Sequence, residues 1–221
     1  MGTVIFEPTS SAKSTVFFNT PKHITCYPSA AAFAAAPNTH ELDAMFLAAE
    51  AAELFSTDLP WWKIIDSLLI ESRFRDSLEA LSRSSGMDLI TSGILQKAIN
   101  LIPYIPNLFI KLGEKGCLVV RLLAPGDKLL KTRTERGILV RRAREGEEVG
   151  GIYIRHFEAE EMEGEIISVN GAGDTFLGVL VGSMVKGGDG EIEEVVERAQ
   201  RAAVLTLQSQ EAVSKKIREL V

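Results

Sequence analysis

The sequence predicts an α/β fold, a three-layer α/β/α sandwich around a mostly parallel sheet. Three observations lead there. Short apolar runs of strand type, the first of them Thr3-Val4-Ile5-Phe6, alternate with stretches whose apolar residues recur at helical spacing. That first run is ended by Glu7-Pro8-Thr9-Ser10, which puts polar groups at the carboxyl end of a buried strand, the usual place for ligands in open α/β sheets. Towards the other end, Glu165-Ile166-Ile167-Ser168-Val169, a glycine turn and the apolar stretch from Thr175 to Val185 read as strand, turn and buried helix.

Taken in order, Ile24-Thr25-Cys26-Tyr27 reads as a second short strand, and an alanine-rich run, Ala30 to Ala36, follows it. Asn38 is placed to cap a helix carrying Leu42, Met45, Phe46 and Ala49, and Glu41 stands three residues on, at capping-box spacing. Ser56 to Pro60 breaks that helix. Trp61 and Trp62 stand beside Ile64, Ile65, Leu68 and Leu69, which reads as the core and rim of a helix rather than a stacking platform. A polar helix runs to Ser84, and another carries Leu95, Ala98, Ile99 and Ile102 before Pro103 and Pro106 stop it. Leu108 to Leu112, Gly113 to Gly116, and Cys117 to Val120 read as strand, tight turn and strand.

From Ala124 to Gly151 the chain is polar. Lys128, Lys131, Arg133, Arg136, Arg141, Arg142 and Arg144 form a basic stretch without interleaved aromatics, which predicts a solvated surface loop rather than a nucleic-acid patch. Ile152-Tyr153-Ile154 alternates into Arg155-His156-Phe157, and an acidic run from Glu158 leads to the glycine turn. After the turn's helix, Lys186 to Gly190 is a turn. Ile192, Val195, Val196, Ala199, Ala202 and Ala203 line one face of the next helix, with Gly178 and Gly182 allowing close packing nearby, and a last helix carries Ala212, Val213 and Ile217.

Composition narrows the classes of function. The chain has 221 residues, 46% hydrophobic and 24% charged, enough for one domain with a sizeable core. Its net charge of −6 gives no global attraction to nucleic acid or an anionic membrane. The two cysteines, Cys26 and Cys117, lie in apolar runs and read as buried thiols of a reducing compartment. No run is long and apolar enough to span a bilayer, and no signal-peptide pattern opens the chain, so a cytoplasmic protein is expected. His23, His40 and His156 are too scattered to suggest a metal site, and there is no Walker lysine loop.

The chemistry concentrates at Asn170-Gly171-Ala172-Gly173-Asp174. Gly171 and Gly173 allow a sharp turn and a close approach to a ligand. The amides of Gly171, Ala172 and Gly173 would stand at a helix N-terminus, where an anion is favoured. Asp174, in the helix's first turn, can accept a proton from a hydroxyl, and that pairing suits phosphoryl transfer to an alcohol. The same residues also satisfy a plain helix cap.

At Val169-Asn170-Gly171-Ala172-Gly173-Asp174-Thr175-Phe176-Leu177-Gly178 the chain resembles the PfkB family of carbohydrate kinases, of ribokinase-like fold, and within it the pseudouridine-kinase branch. Val179 departs from the pattern, because the family usually has a small residue there. The resemblance implies ATP-dependent phosphorylation of a sugar or nucleoside hydroxyl, with Asp174 as general base and Gly171, Ala172 and Gly173 holding the transferring phosphoryl group. Asn38-x-x-Glu41 is similar to the family's second motif, implying that Asn38 and Glu41 organise Mg²⁺ through water. The Ala30–Ala36 run departs from the short strand-to-motif passage of the family and would displace Glu41 or add a helical turn.

The Leu112-Gly113-Glu114-Lys115-Gly116 run also matches, so Lys111, Gly113 and Gly116 are implied to line the nucleotide site, with Gly113 the position where a side chain would block backbone approach. Leu207 to Ser214, with Ser209, falls where members contact adenine and, in many, a monovalent cation such as K⁺. The branch also carries Glu7-Pro8-Thr9-Ser10 and Lys13, to which no role attaches. Because the resemblance begins in mid-domain, it implies that residues 1–221 form a single domain, the C-terminal, nucleotide-binding part of the family's domain, lacking the N-terminal lid portion. A homodimer, or a fused or partner chain, would then supply the missing half. Two rivals stand beside this reading: a non-catalytic nucleotide-binding or scaffold domain, and an α/β domain whose glycine turn binds another phosphorylated ligand without transfer.

Overall fold

The structure, a computed structural model, describes residues 4–20, 24–135, 137–162, 164–187 and 192–220. Thr3, His23, Arg136, Glu163 and the expected turn at 188–190 lie outside the described residues. The chain divides into two compact units, Met1–Leu112 with Leu118–His156, and Gly113–Cys117 with Phe157–Val221.

The first unit holds all but the end residues Cys117 and Phe157 of a six-stranded mixed sheet. Its strands are β1 (Ile5–Phe6), β2 (Ala34–Ala35), β3 (Asn107–Lys111), β4 (Cys117–Leu123), β5 (Ile138–Arg142) and β6 (Gly151–Phe157), in spatial order β1-β2-β3-β4-β6-β5. β1, β2 and β3 are parallel, with Ile5 opposite Ala34 and Ala34 opposite Asn107. β5 and β6 pair antiparallel. Among the described residues, five helices accompany the strands: α1 (Ser11–Ser14), α2 (Thr39–Ala51), α3 (Pro60–Ser67), α4 (Ser72–Ser84) and α5 (Ile94–Leu101). Their apolar faces supply the core as the spacing predicts. Leu42, Met45 and Ala49 of α2, Ile64 of α3, and Leu95 and Ala98 of α5 bury in one cluster with Leu108, Ile110, Leu118, Val120, Ile152 and Ile154 of the sheet. Trp61 is buried with its indole N–H on the Asn100 carbonyl, while Trp62 stays exposed, so the pair is indeed core and rim.

Two expectations about this unit are corrected. Ile24–Tyr27 is not a strand. Its Tyr27 amide donates to the Pro103 carbonyl, outside any strand, and Pro28 follows at once and cannot donate to a ladder. The second strand lies instead inside the alanine run, at Ala34–Ala35, fully buried between β1 and β3. Alanine is a poor strand former, but burial between two strands overrides a weak local preference. The basic stretch is not a loop either. It contains a 3₁₀ turn at Lys128–Lys131 and the edge strand β5, whose Ile138 and Leu139 are buried while Arg142 is exposed. A charged edge strand is a standard guard against edge-to-edge association.

The second unit is built on two long helices, α6 (Ala172–Gly187) and α7 (Ile192–Leu207), which pack together. Phe176, Val179 and Leu180 of α6 are buried, as are Ile192, Val195, Val196, Ala199 and Ala202 of α7. Gly178 and Gly182 do not serve close packing, because a Cβ at either meets nothing within 4 Å. The expected last helix is a 3₁₀ turn at Lys215–Glu219, and Ala212 and Val213 lie in the loop before it. Among the described residues no helix is long and apolar enough to cross a membrane.

Candidate functional site

In the first unit, the chemistry gathers at the carboxyl ends of β1, β2 and β3. β1 ends at Phe6, and Glu7 follows. β2 ends at Ala35, Asn38 follows three residues later, and the Ala30–Ala36 run adds no helical turn. Beyond the end of β2 the pairing continues. The Lys111 amide donates to the Pro37 carbonyl at 2.8 Å, and Asn38 forms a parallel bridge with Lys111. The Lys111 ammonium lies 3.1 Å from a Glu7 carboxylate oxygen, each side chain less than one-fifth exposed at 19% and 18%. Glu7, Asn38 and Lys111 thus share one edge of the sheet, the edge where open α/β sheets bind ligands.

Asn38 and Glu41 open α2 as a complete capping box. The Asn38 amide donates to Glu41 Oε2 at 2.8 Å, and the Glu41 amide donates to Asn38 Oδ1 at 2.9 Å. Glu41 is 5% exposed, so its carboxylate is kept in the fold by this reciprocal bonding. Among the described residues no group of three or more His, Cys, Asp or Glu side chains is placed to hold a metal ion. Mg²⁺ does not require one, since it keeps several waters and takes one or two carboxylates together with substrate phosphates. A buried carboxylate with one oxygen engaged retains acceptor capacity for such waters, so Glu41 fits a water-mediated role as well as a cap.

In the second unit, Glu165–Val169 does not form a strand. Ile166, Ile167 and Val169 are 55%, 56% and 70% exposed. Instead of entering a ladder, the amides of Ile167 and Ser168 both donate to the Leu207 carbonyl at the end of α7, at 2.8 and 3.1 Å. The chain then turns at Gly171 and enters α6, with the Thr175 amide closing the first helical bond onto the Gly171 carbonyl. Gly171 has φ +78, and a Cβ there would stand 1.8 Å from the Ala212 carbonyl oxygen. The close approach that makes this residue glycine is therefore to the chain's own backbone. Asp174 is exposed in the first turn of α6, and Ala172 and Gly173 are half-buried beside it.

Beneath that turn is a buried hydroxyl cluster. Thr175 Oγ1 and Thr206 Oγ1 are 3.1 Å apart, and the Ser214 amide donates to Thr206 Oγ1 at 3.4 Å. The half-buried Ser209 follows α7, its hydroxyl accepting from the Glu211 amide. The 3₁₀ turn Gly113–Lys115 also belongs to this unit. Gly113 has φ +64 but open space at its Cβ position, so it is not the crowded residue of the turn. Gly116 is, with φ +88 and a Cβ position 2.1 Å from the Phe157 carbonyl oxygen.

Of the residues singled out from sequence, the structure thus brings together Asn38, Glu41 and Lys111 in the first unit. In the second it brings the glycine turn against the 206–214 segment, close to Ser209 in the chain. Sequence reasoning gave no role to Glu7, whose partner is 104 residues away, or to Thr206, whose partner Thr175 is 31 residues away. A strand-end carboxylate was a signal for the first, and the second had no local signal.

The model of the pfkB family carbohydrate kinases matches residues 77–218, which takes in Lys111, the Gly113–Gly116 turn, Gly171–Asp174 and Ser209 but not Asn38 or Glu41. A pseudouridine-metabolizing bifunctional protein of Schizosaccharomyces pombe is 30% identical over 219 residues, 99% of this chain and 27% of that protein. The chain therefore spans little more than a quarter of the length of that curated relative. Among solved structures, adenosine kinase from Sinorhizobium meliloti superposes with a TM-score of 0.51 at 11% identity, over 99% of this chain and 45% of that one, a likeness of fold.

Proposed function

Because the chain belongs to the pfkB family of carbohydrate kinases, we propose that it serves ATP-dependent phosphorylation of a sugar or nucleoside hydroxyl, with pseudouridine as the first acceptor to test. The observation that carries the reading is Asp174 standing exposed in the first turn of a sixteen-residue helix that opens from a positive-φ glycine. In this reading Asp174 takes the proton of the attacking hydroxyl. The amides at Gly171, Ala172 and Gly173 face the transferring phosphoryl group, where preorganised donors cost no reorganisation as charge develops. Asn38 and Glu41 hold the waters around Mg²⁺, which when bound neutralises phosphate charge. Lys111, Gly113, Gly116 and Ser209 line the nucleotide. The pseudouridine preference draws its support from the printed name of the 30% identical relative. A cytoplasmic setting goes with it, supported by the apolar runs in which half-buried Cys26 and buried Cys117 stand.

The capping box favours one second reading, nucleotide binding without transfer, since it accounts for Asn38 and Glu41 without a metal. Titration calorimetry with ATP and Mg²⁺, run beside a coupled assay over pseudouridine, ribose and other nucleosides, separates the two. Binding with turnover on one acceptor class is the expected result. Binding with no turnover on any acceptor selects the second reading, and no ATP binding removes both. A size measurement with and without acceptor would show whether a second copy or a partner chain is needed for turnover.

A further inference from the structure

We propose that Thr206 is a positioning residue that holds the Gly171–Asp174 turn in register through its hydroxyl. The inference rests on the reading of that turn as the phosphoryl-transfer element. It starts from three separate contacts between residues 167–175 and residues 206–214, and from one bond within the second segment. The Leu207 carbonyl accepts from both Ile167 and Ser168. The Ala212 carbonyl fills the space where a Gly171 side chain would be. Thr206 Oγ1 meets Thr175 Oγ1 at 3.1 Å. The Ser214 amide donates to that same Thr206 oxygen at 3.4 Å.

Asp174 therefore lies between two held positions, Gly171 and Thr175. Thr206 and Thr175 are both buried, so a hydroxyl that lost its partner would not turn to bulk water instead. A hydroxyl has one donor and two acceptor sites, and at Thr206 one acceptor site takes the Ser214 amide. The remaining capacity is directed at Thr175, the residue after Asp174. Two apolar side chains of the same shape would fill this space but would not fix the direction of the first turn of α6. A hydrogen bond does, because it weakens steeply as its angle departs from linear. The cluster thus converts the position of the loop after α7 into the position of the Asp174 carboxylate. A misplacement of about 1 Å at a reacting group is enough to cost about a hundredfold in rate.

The test compares T206V, which keeps shape and removes the hydroxyl, with T206S, which keeps the hydroxyl. Two readouts are taken on the whole chain, the kinetics of phosphoryl transfer from ATP and the hydrogen exchange of peptides covering residues 166–175 and 192–200. T206V is expected to lower kcat by about ten- to a hundredfold with the KM for ATP within about threefold of wild type. It is also expected to speed exchange at 166–175 while leaving 192–200 unchanged. T206S is expected to restore both. Exchange at 166–175 that is unchanged in T206V overturns the proposal, as does a T206S variant as impaired as T206V. A T206V chain that does not fold assigns Thr206 to the fold alone and likewise overturns it. If wild type transfers no phosphoryl group, the reading of the turn fails, and the exchange measurement still decides whether Thr206 holds it.

Discussion

A methyl group added at Gly171 would meet the Ala212 carbonyl oxygen at 1.8 Å, on a backbone already at φ +78. Gly171→Ala therefore combines left-handed strain with overpacking, and a loss of about 3 kcal/mol in urea denaturation is expected. Asp174 is the opposite case. It is exposed, so Asp174→Asn should leave the melting temperature and ATP affinity near wild type. Turnover should fall by about two to four decades, the scale of a general base, measured as kcat at saturating ATP. Cys26 gives a residue-level pH dependence. Burial pushes its thiol up from 9.0 to about 11, against a hydrogen bond with Tyr104 that lowers it. Between those values the unfolded chain sheds the proton while the folded chain keeps it, so stability falls as pH rises through that window and is unaffected by this group below it. Urea melts at pH 8 and pH ~10.5 should show a smaller drop for Cys26→Ala than for wild type.

At the scale of the element, the capping box of α2 and the Mg²⁺ role proposed above fall on one pair of side chains. Gln at position 41 retains an oxygen for the Asn38 amide, so it preserves the capping box while removing the charge. Glu41→Gln is accordingly expected to keep the melting temperature and to raise the Mg²⁺ concentration needed for nucleotide binding. Glu41→Ala should lose about 1 kcal/mol as well, the usual value of a cap. A Mg²⁺ titration of both variants followed by thermal melts reads the two effects separately. The element before this helix shows how position outranks propensity. Ala34 and Ala35 form a strand because β1 and β3 pair with them on both sides, and the passage Ala36-Pro37-Asn38 then delivers the cap to the sheet's carboxyl edge. Glu7 reaches that same edge from β1 to pair with Lys111 of β3.

Across the whole molecule, the two compact units are interleaved in sequence. The chain leaves the first unit at Leu112, returns at Leu118 and leaves again at His156. Neither unit is a continuous segment of the chain. We therefore propose that residues 1–221 unfold as one domain, in a single calorimetric transition with calorimetric and van't Hoff enthalpies in agreement. Two resolved transitions would assign the units to separate domains. The net charge of −6 belongs to this scale too. The basic residues around β5 are already counted in it, and Arg144 there is paired with Asp66 at 3.1 Å.

What the sequence by itself determined is whatever depends on neighbours along the chain. Asn38 with Glu41 three residues on, the helical spacing of Leu42, Met45 and Ala49, and Gly171 before Asp174 all act within a turn or two, and each appears in the structure as a local feature. The family, too, was legible there, because its motifs are short and contiguous. What the tertiary structure alone decided depends on partners far away in sequence. Ile24–Tyr27 and Glu165–Val169 have strand composition but no ladder to join, whereas Ala34–Ala35 lacks strand composition and has a ladder on each side. A strand is defined by its neighbours' unpaired amides and carbonyls, not by its own residues, and no local pattern records where those lie. For the same reason the Glu7–Lys111 pair and the Thr175–Thr206 contact became visible only once the chain had closed over 104 and 31 residues.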